Sequence, residues 1–167
     1  DRVVLVVGTH HELTAAKIIV SGCAVETERA RFSSMPEVAA IIGNAAKTDA
    51  QAWRDLMRGK TNAPDIMRAT IARPIAVDAI EGHTRAFLAI QNGCDHRCTF
   101  CIIPYGRGPS RSVPMGHIAA QVRALVQAGV REVVLTGVDL TSYGADLPGA
   151  PSLGQMVRRL LAAVPEL

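Results

Sequence analysis

Three of the chain's four cysteines, Cys94, Cys98 and Cys101, fall within eight residues. Thiolates spaced C-x-x-x-C-x-x-C suit a single compact metal centre, because each short arc of backbone returns the next sulfur to the same point. A 4Fe-4S cluster normally takes four thiolates, so a loop offering three leaves one iron open to another ligand, and an open iron is a reactive position. A zinc site is the competing reading. Structural zinc, however, prefers two C-x-x-C pairs or cysteine with histidine at fixed offsets, and the one histidine inside the loop, His96, is expected to face solvent. Plain buried thiols are the third possibility.

The elements that must hold this loop follow from the apolar pattern around it. Arg85-Ala86-Phe87-Leu88-Ala89-Ile90 reads as a buried strand that delivers its end to the cysteines. Residues 116–129 carry Ile118, Val122, Leu125 and Val126 at helical spacing and close on Gly129 as a C-terminal cap. Glu132-Val133-Val134-Leu135-Thr136 is the next strand. Pro151-Ser152 then opens a helix with Leu153, Met156, Val157, Leu160 and Leu161 on one stripe and Gln155 placed for a capping box. Strand, helix, strand, helix predicts the beginning of a parallel β/α arrangement, whose chemistry gathers at the C-terminal ends of strands. The turn Thr136-Gly137-Val138-Asp139-Leu140-Thr141-Ser142-Tyr143-Gly144 ends the second strand. There Gly137 would admit a ligand close to the backbone, and Asp139 or Ser142 would hydrogen-bond it; a strand-end turn with no ligand is the alternative reading.

Upstream, Val3-Val4-Leu5-Val6-Val7, Ile18-Ile19-Val20 and residues 38–42 read as buried strands of a parallel sheet. Residues 27–32 are expected as a short helix ended by Met35-Pro36, and Thr48 as the cap of a helix that aligns Trp53, Leu56 and Met57. Cys23 falls directly after the second strand. On its own it reads as a buried structural thiol. The organisation expected is an α/β chain with a partial N-terminal domain at 1–59, a linker at 60–80 rich in Pro, Arg and polar residues, and a second domain at 81–167.

With 49% apolar and 20% charged residues, the chain has the composition of a globular protein rather than a disordered one. No apolar run has the length of a membrane span and no signal-like segment stands at the N-terminus, so a cytoplasmic protein without a membrane partner is expected. Clustered cysteines in that compartment read as metal-binding or catalytic. A net charge of +3 permits a nucleic-acid partner without requiring one.

The stretch from Gly93-Cys94-Asp95-His96-Arg97-Cys98-Thr99-Phe100-Cys101 through Ile102-Ile103-Pro104-Tyr105, followed by Arg107-Gly108 and Arg111-Ser112, resembles the radical S-adenosylmethionine (SAM) enzymes. Within them it is similar to the tRNA methylthiotransferases, most of all to the branch acting on N6-threonylcarbamoyladenosine beside the anticodon. The likeness spans roughly residues 85–144.

That resemblance implies a small Rossmann-like parallel-sheet domain, present in its C-terminal part, followed by the first strands and helices of a partial (β/α)6 barrel, with the chain a fragment of a longer protein. It implies that Cys94, Cys98 and Cys101 hold a 4Fe-4S cluster whose open iron chelates SAM. One electron then yields methionine and a 5'-deoxyadenosyl radical. Phe100 occupies a position that lies against the adenine in this superfamily, although a hydrophobic plug beneath the loop is the other reading. Cys23, within Ser21-Gly22-Cys23-Ala24, is similar to the third ligand of the family's second 4Fe-4S cluster; the other two cysteines are missing, with His10 near one expected position. Arg107 and Arg111, with Arg97, would face phosphate or the carboxylate of the modified base, or form a solvated loop. The partners implied are tRNA, SAM and an electron donor. The isopentenyladenosine branch, the ribosomal-protein aspartate branch and a non-catalytic iron-sulfur or zinc protein are the alternatives.

Overall fold

The computed structural model describes residues 3–7, 17–60, 64–72 and 84–167. They fall into two compact units, one made of residues 1–69 with 95–108 and the other of residues 70–94 with 109–167. His10 lies outside the described residues.

The first unit is built on a sheet of β1 (Val3–Val7), β2 (Lys17–Ser21) and β3 (Val38–Ile41), in that order. β2 and β3 are parallel as expected, but β1 runs antiparallel to β2, with Val3 opposite Ser21 and Val7 opposite Lys17. The reason is connection length. The stretch 8–16 gives nine residues between β1 and β2, fewer than the dozen or so that a parallel crossover needs.

Side chains alternate across a strand, so neighbours on β2 feed different cores. Ile19 packs with Ile42, Ala46 and Leu56, whereas Val20 packs with Val25 and Phe32. The second cluster is covered by two short helices, α1 (Cys23–Thr27) and α2 (Arg29–Ser33), where the sequence predicted one over 27–32. Their separation falls at Glu28, which leaves helical geometry at φ −125° and ψ 37°. Thr27 precedes it, and its hydroxyl donates back to the carbonyls of Cys23 and Ala24, the local side-chain bonding by which threonine competes with helix continuation.

The first cluster is covered by α3 (Ala50–Met57). Its cap is Asp49 rather than Thr48, the carboxylate accepting from the Gln51 amide at 2.9 Å. Leu56 is buried and Trp53 half-buried, while Met57 faces solvent. Within the predicted linker, Asp65 caps a 3-10 turn, Ile66–Arg68, that buries Ile66. The last helix of this unit is α4 (Ile103–Arg107), with Pro104 in its first turn.

In the second unit β4 (Arg85–Ala89) pairs in parallel with β7 (Glu132–Thr136), Arg85 opposite Glu132 and Ala89 opposite Thr136. Two short strands, β5 (Gln91–Asn92) and β6 (Arg111–Ser112), pair antiparallel. The helices are α5 (Met115–Gln127) and α6 (Leu153–Ala163). Gly129 follows α5 at φ 93°, and Ser152 and Gln155 form the reciprocal capping box at α6.

The core gathers Leu88, Ile90, Val113, Ile118, Val122, Met156, Leu160 and Val164. Burying each large aliphatic side chain contributes about 1.5–3 kcal/mol, which makes this cluster the main support of the unit. β4 is buried on one face only. Ala86 and Leu88 point inward while Phe87 is 60% exposed, and Arg85 meets Glu132 at 2.8 Å on the outer side. The expected α6 stripe also narrows, because Leu161, one residue and about 100° past Leu160, is exposed.

Candidate metal and cofactor site

Each unit carries part of the cysteine loop. In the second unit, Ile90 closes the strand by donating to Thr136 O and accepting from the Val113 amide. The chain then passes through Gln91, Asn92 and Gly93 to Cys94, which is nearly buried. In the first unit, Cys98 and Cys101 are the ends of a reverse turn closed by a 3.0 Å bond from the Cys101 amide to Cys98 O, so their backbones lie close together. Cys98 is exposed and Cys101 half-buried. All four cysteines are free thiols.

The donor set fits an iron-sulfur cluster. Three thiols, no disulfide among them, lie on a short stretch that has no regular secondary structure between β5 and α4. The exposed turn at Cys98 leaves room for a bulky inorganic group.

Cys23 starts α1 directly after β2, half-buried. Asn44 holds it: the side-chain amide lies 3.6 Å from Cys23 Sγ and also donates to Gly106 O on α4. Glu26 secures Asn44 in turn. Its side chain is 2% exposed, one oxygen accepting from the Asn44 backbone amide at 2.6 Å and the other meeting Arg29 at 2.8 Å. Gly106 itself packs so tightly on Cys23 that a Cβ there would lie 2.6 Å from Cys23 Cβ. The sequence reading missed Glu26 and Asn44. The available signal was an Asn two residues past the apolar run 38–42 and a Glu one helical turn past a cysteine.

The turn after β7 is organised by its own side chains. Asp139 accepts from the hydroxyls of Thr141 and Ser142, so Ser142 already spends its hydroxyl within the turn. A Cβ on Gly137 would lie 2.7 Å from Leu140 Cδ2 and 3.0 Å from Gln91 Oε1, so a side chain there would require Leu140 to shift. Downstream, the Gly144 amide donates to Ser112 Oγ, Asp146 accepts from the Ser112 amide, and Tyr143 OH donates to Val113 O. Burial and, secondarily, the Asp146 charge raise the Tyr143 pKa above its ordinary value.

Phe100 is 91% exposed, which removes the reading of it as a plug. Arg97 and Arg107 are exposed. Arg111 is not a solvated loop residue: it is 4% exposed and donates to Pro109 O at 2.7 Å.

Residues 88–163 match the radical SAM superfamily. Over 151 residues, 90% of this chain and 36% of the relative, the chain is 48% identical to the threonylcarbamoyladenosine tRNA methylthiotransferase MtaB of Rickettsia prowazekii (strain Madrid E). It is 35% identical over 162 residues, 96% of this chain and 34% of the relative, to the ribosomal protein uS12 methylthiotransferase RimO of Anaeromyxobacter sp. (strain Fw109-5). With MtaB of Bacillus subtilis (strain 168) the identity is 36% over 134 residues, 78% of this chain and 30% of that relative. The chain thus spans about a third of the length of the curated relatives it matches. With its three-thiol loop and β7 inside the matched residues, the chain belongs to the radical SAM methylthiotransferase family.

Proposed function

We propose that this chain is part of an enzyme that adds a methylthio group to C2 of N6-threonylcarbamoyladenosine in tRNA. The observation that carries the proposal is the 48% identity to a threonylcarbamoyladenosine tRNA methylthiotransferase over 90% of the chain, cysteine loop included. In this reading Cys94, Cys98 and Cys101 hold a 4Fe-4S cluster. When bound and reduced, the cluster supplies the electron that splits SAM into methionine and a 5'-deoxyadenosyl radical.

The rest of the site has matching roles. Phe100, exposed between two of the ligands, would cover the adenine of SAM, and Gly137, Asp139 and Ser142 would line the cofactor from the end of β7. Residues 1–59 would belong to an N-terminal methylthiotransferase domain, 60–80 to a linker, and 81–167 to the first part of a partial barrel. Cys23 would serve as one ligand of a second 4Fe-4S cluster. Of the two arginines assigned to substrate, Arg107 is exposed on α4 and suits the base carboxylate; Arg111, buried against Pro109 O, suits the holding of its own loop. A cleft of about 600 Å³ in the first unit, walled by Ile102, Tyr105 and Met67 with Arg29 and Asp65 among its polar groups, offers a planar base an apolar face and charged hydrogen-bonding groups. Partners would be tRNA and an electron donor, in the cytoplasm; no described helix is long and apolar enough to cross a membrane.

Anaerobic reconstitution tests this reading. The protein should take up about four irons at the loop and, once reduced, release 5'-deoxyadenosine from SAM. Cys98→Ala should abolish both, whereas Cys23→Ala should spare SAM cleavage. A zinc centre, or a cluster for which SAM has no affinity, would remove the radical mechanism. The 35% identity to a RimO over 96% of the chain favours a second reading, a ribosomal-protein substrate. Offering modified tRNA and protein uS12 side by side to the full-length enzyme separates the two.

A further inference from the structure

Gln91 is 2% exposed at the junction of β4, β5 and the cysteine loop, and both ends of its amide are occupied. The nitrogen donates to Gly93 O at 2.8 Å and to Ser110 Oγ at 2.9 Å. The oxygen accepts from the amides of Val138 and Asp139, each at 2.8 Å. One uncharged side chain thus ties the residue before Cys94 to the turn after β7. From this we infer that Gln91 is a positioning residue: it sets the spacing between the Cys94 end of the loop and the Gly137–Asp139 backbone, and so the width of the slot for SAM. The inference rests on the function proposed above only for the identity of the ligand; the tie itself is a property of the fold.

The amide is the one group that suits both ends. Two N–H groups on one side call for an acceptor, while a carbonyl on the other calls for a donor. Apolar packing would take this partner from two half-buried amide hydrogens and one buried carbonyl oxygen. A carboxylate would keep the Val138 and Asp139 bonds but lose the donation to Gly93 O, with Ser110 able to turn its hydroxyl round and donate.

Two variants therefore separate the ends. In Gln91→Met, amide hydrogen exchange at Val138 and Asp139 should quicken roughly tenfold, the loss of about one net hydrogen bond per amide. In Gln91→Glu, exchange at those two amides should stay within about twofold of wild type. With the cluster assembled and its absorption band intact, SAM affinity should fall roughly tenfold or more in Gln91→Met.

Unchanged exchange at both amides in Gln91→Met would overturn the tie. Faster exchange and a lower melting temperature, with SAM affinity intact, would reduce Gln91 to a structural residue and overturn the positioning role. If wild-type protein with an assembled cluster binds no SAM, the function proposed above fails, while the exchange measurement still decides whether the tie exists.

Discussion

Gly106→Ala is the sharpest test of how the first unit is packed, because two effects oppose each other and their sizes decide the sign. Gly106 lies in α4 and its φ is not in the left-handed region, so backbone preference alone would reward alanine by about 0.5–1 kcal/mol. The new Cβ, however, would lie 2.6 Å from Cys23 Cβ, 3.1 Å from its Cα and 3.1 Å from its Sγ. Carbon–carbon contacts are comfortable at about 3.5–4.0 Å, leaving the pair roughly 1 Å too close. The obstructing atoms begin at the backbone of α1, so no side-chain rotation relieves the clash. Overpacking of this kind costs about 1–3 kcal/mol, and the shift needed would also disturb the Asn44 bond to Gly106 O. The net expectation is a loss of about 1–2 kcal/mol after the helix gain is subtracted.

Urea unfolding followed by Trp53 fluorescence measures it. Trp53 is the chain's one tryptophan, and it sits in the same unit, half-buried, with its indole N–H on Lys47 O. With a slope of about 2 kcal/mol/M, the midpoint should fall by roughly 0.5–1 M. Combining the change with Cys23→Gly, which removes the obstructing Cβ and Sγ, should recover part of the loss. A midpoint equal to or above wild type in the single variant would refute the packing argument.

Further expectations concern both units. Glu26→Ala removes the buried partner of Arg29 and of the Asn44 amide and should lower the stability of the first unit by about 2 kcal/mol, read by the same fluorescence. Ser152→Ala breaks the capping box of α6; a loss of about 1 kcal/mol in circular-dichroism melts is expected. Tyr143→Phe leaves Val113 O without its hydroxyl donor and should cost about 1–2 kcal/mol. Because the Tyr143 pKa is raised in the folded state, its contribution is complete below the ordinary tyrosine value of about 10 and is lost as pH climbs through the higher folded value. Unfolding free energy should therefore drop more steeply above pH 10 in wild type than in Tyr143→Phe; parallel curves would contradict this.

Much of the site and its supports could be read directly from the chain. The C-x-x-x-C-x-x-C spacing of Cys94, Cys98 and Cys101 is a local property, since a few residues of backbone govern which sulfurs can meet. So are the periodicity that makes α5 and α6, the capping box at Ser152 and Gln155, and the apolar runs of β2, β3 and β7. Other features depend on groups far apart in sequence. The direction of β1 turned on a connection too short for a crossover. The outward face of Phe87 followed from α5 and α6 packing on the Leu88 side of β4. Gln91 is one polar residue after an apolar strand until Val138 and Asp139, 47 and 48 positions away, bring their amides to it. Asn44 is likewise one polar residue after an apolar run until Cys23 and the Gly106 carbonyl of α4 meet its side chain. Ligand spacing and helix periodicity operate over one or two turns of chain and survive in a string of letters; the partners of a buried amide or a half-buried thiol are chosen by packing, which exists only after distant segments have met.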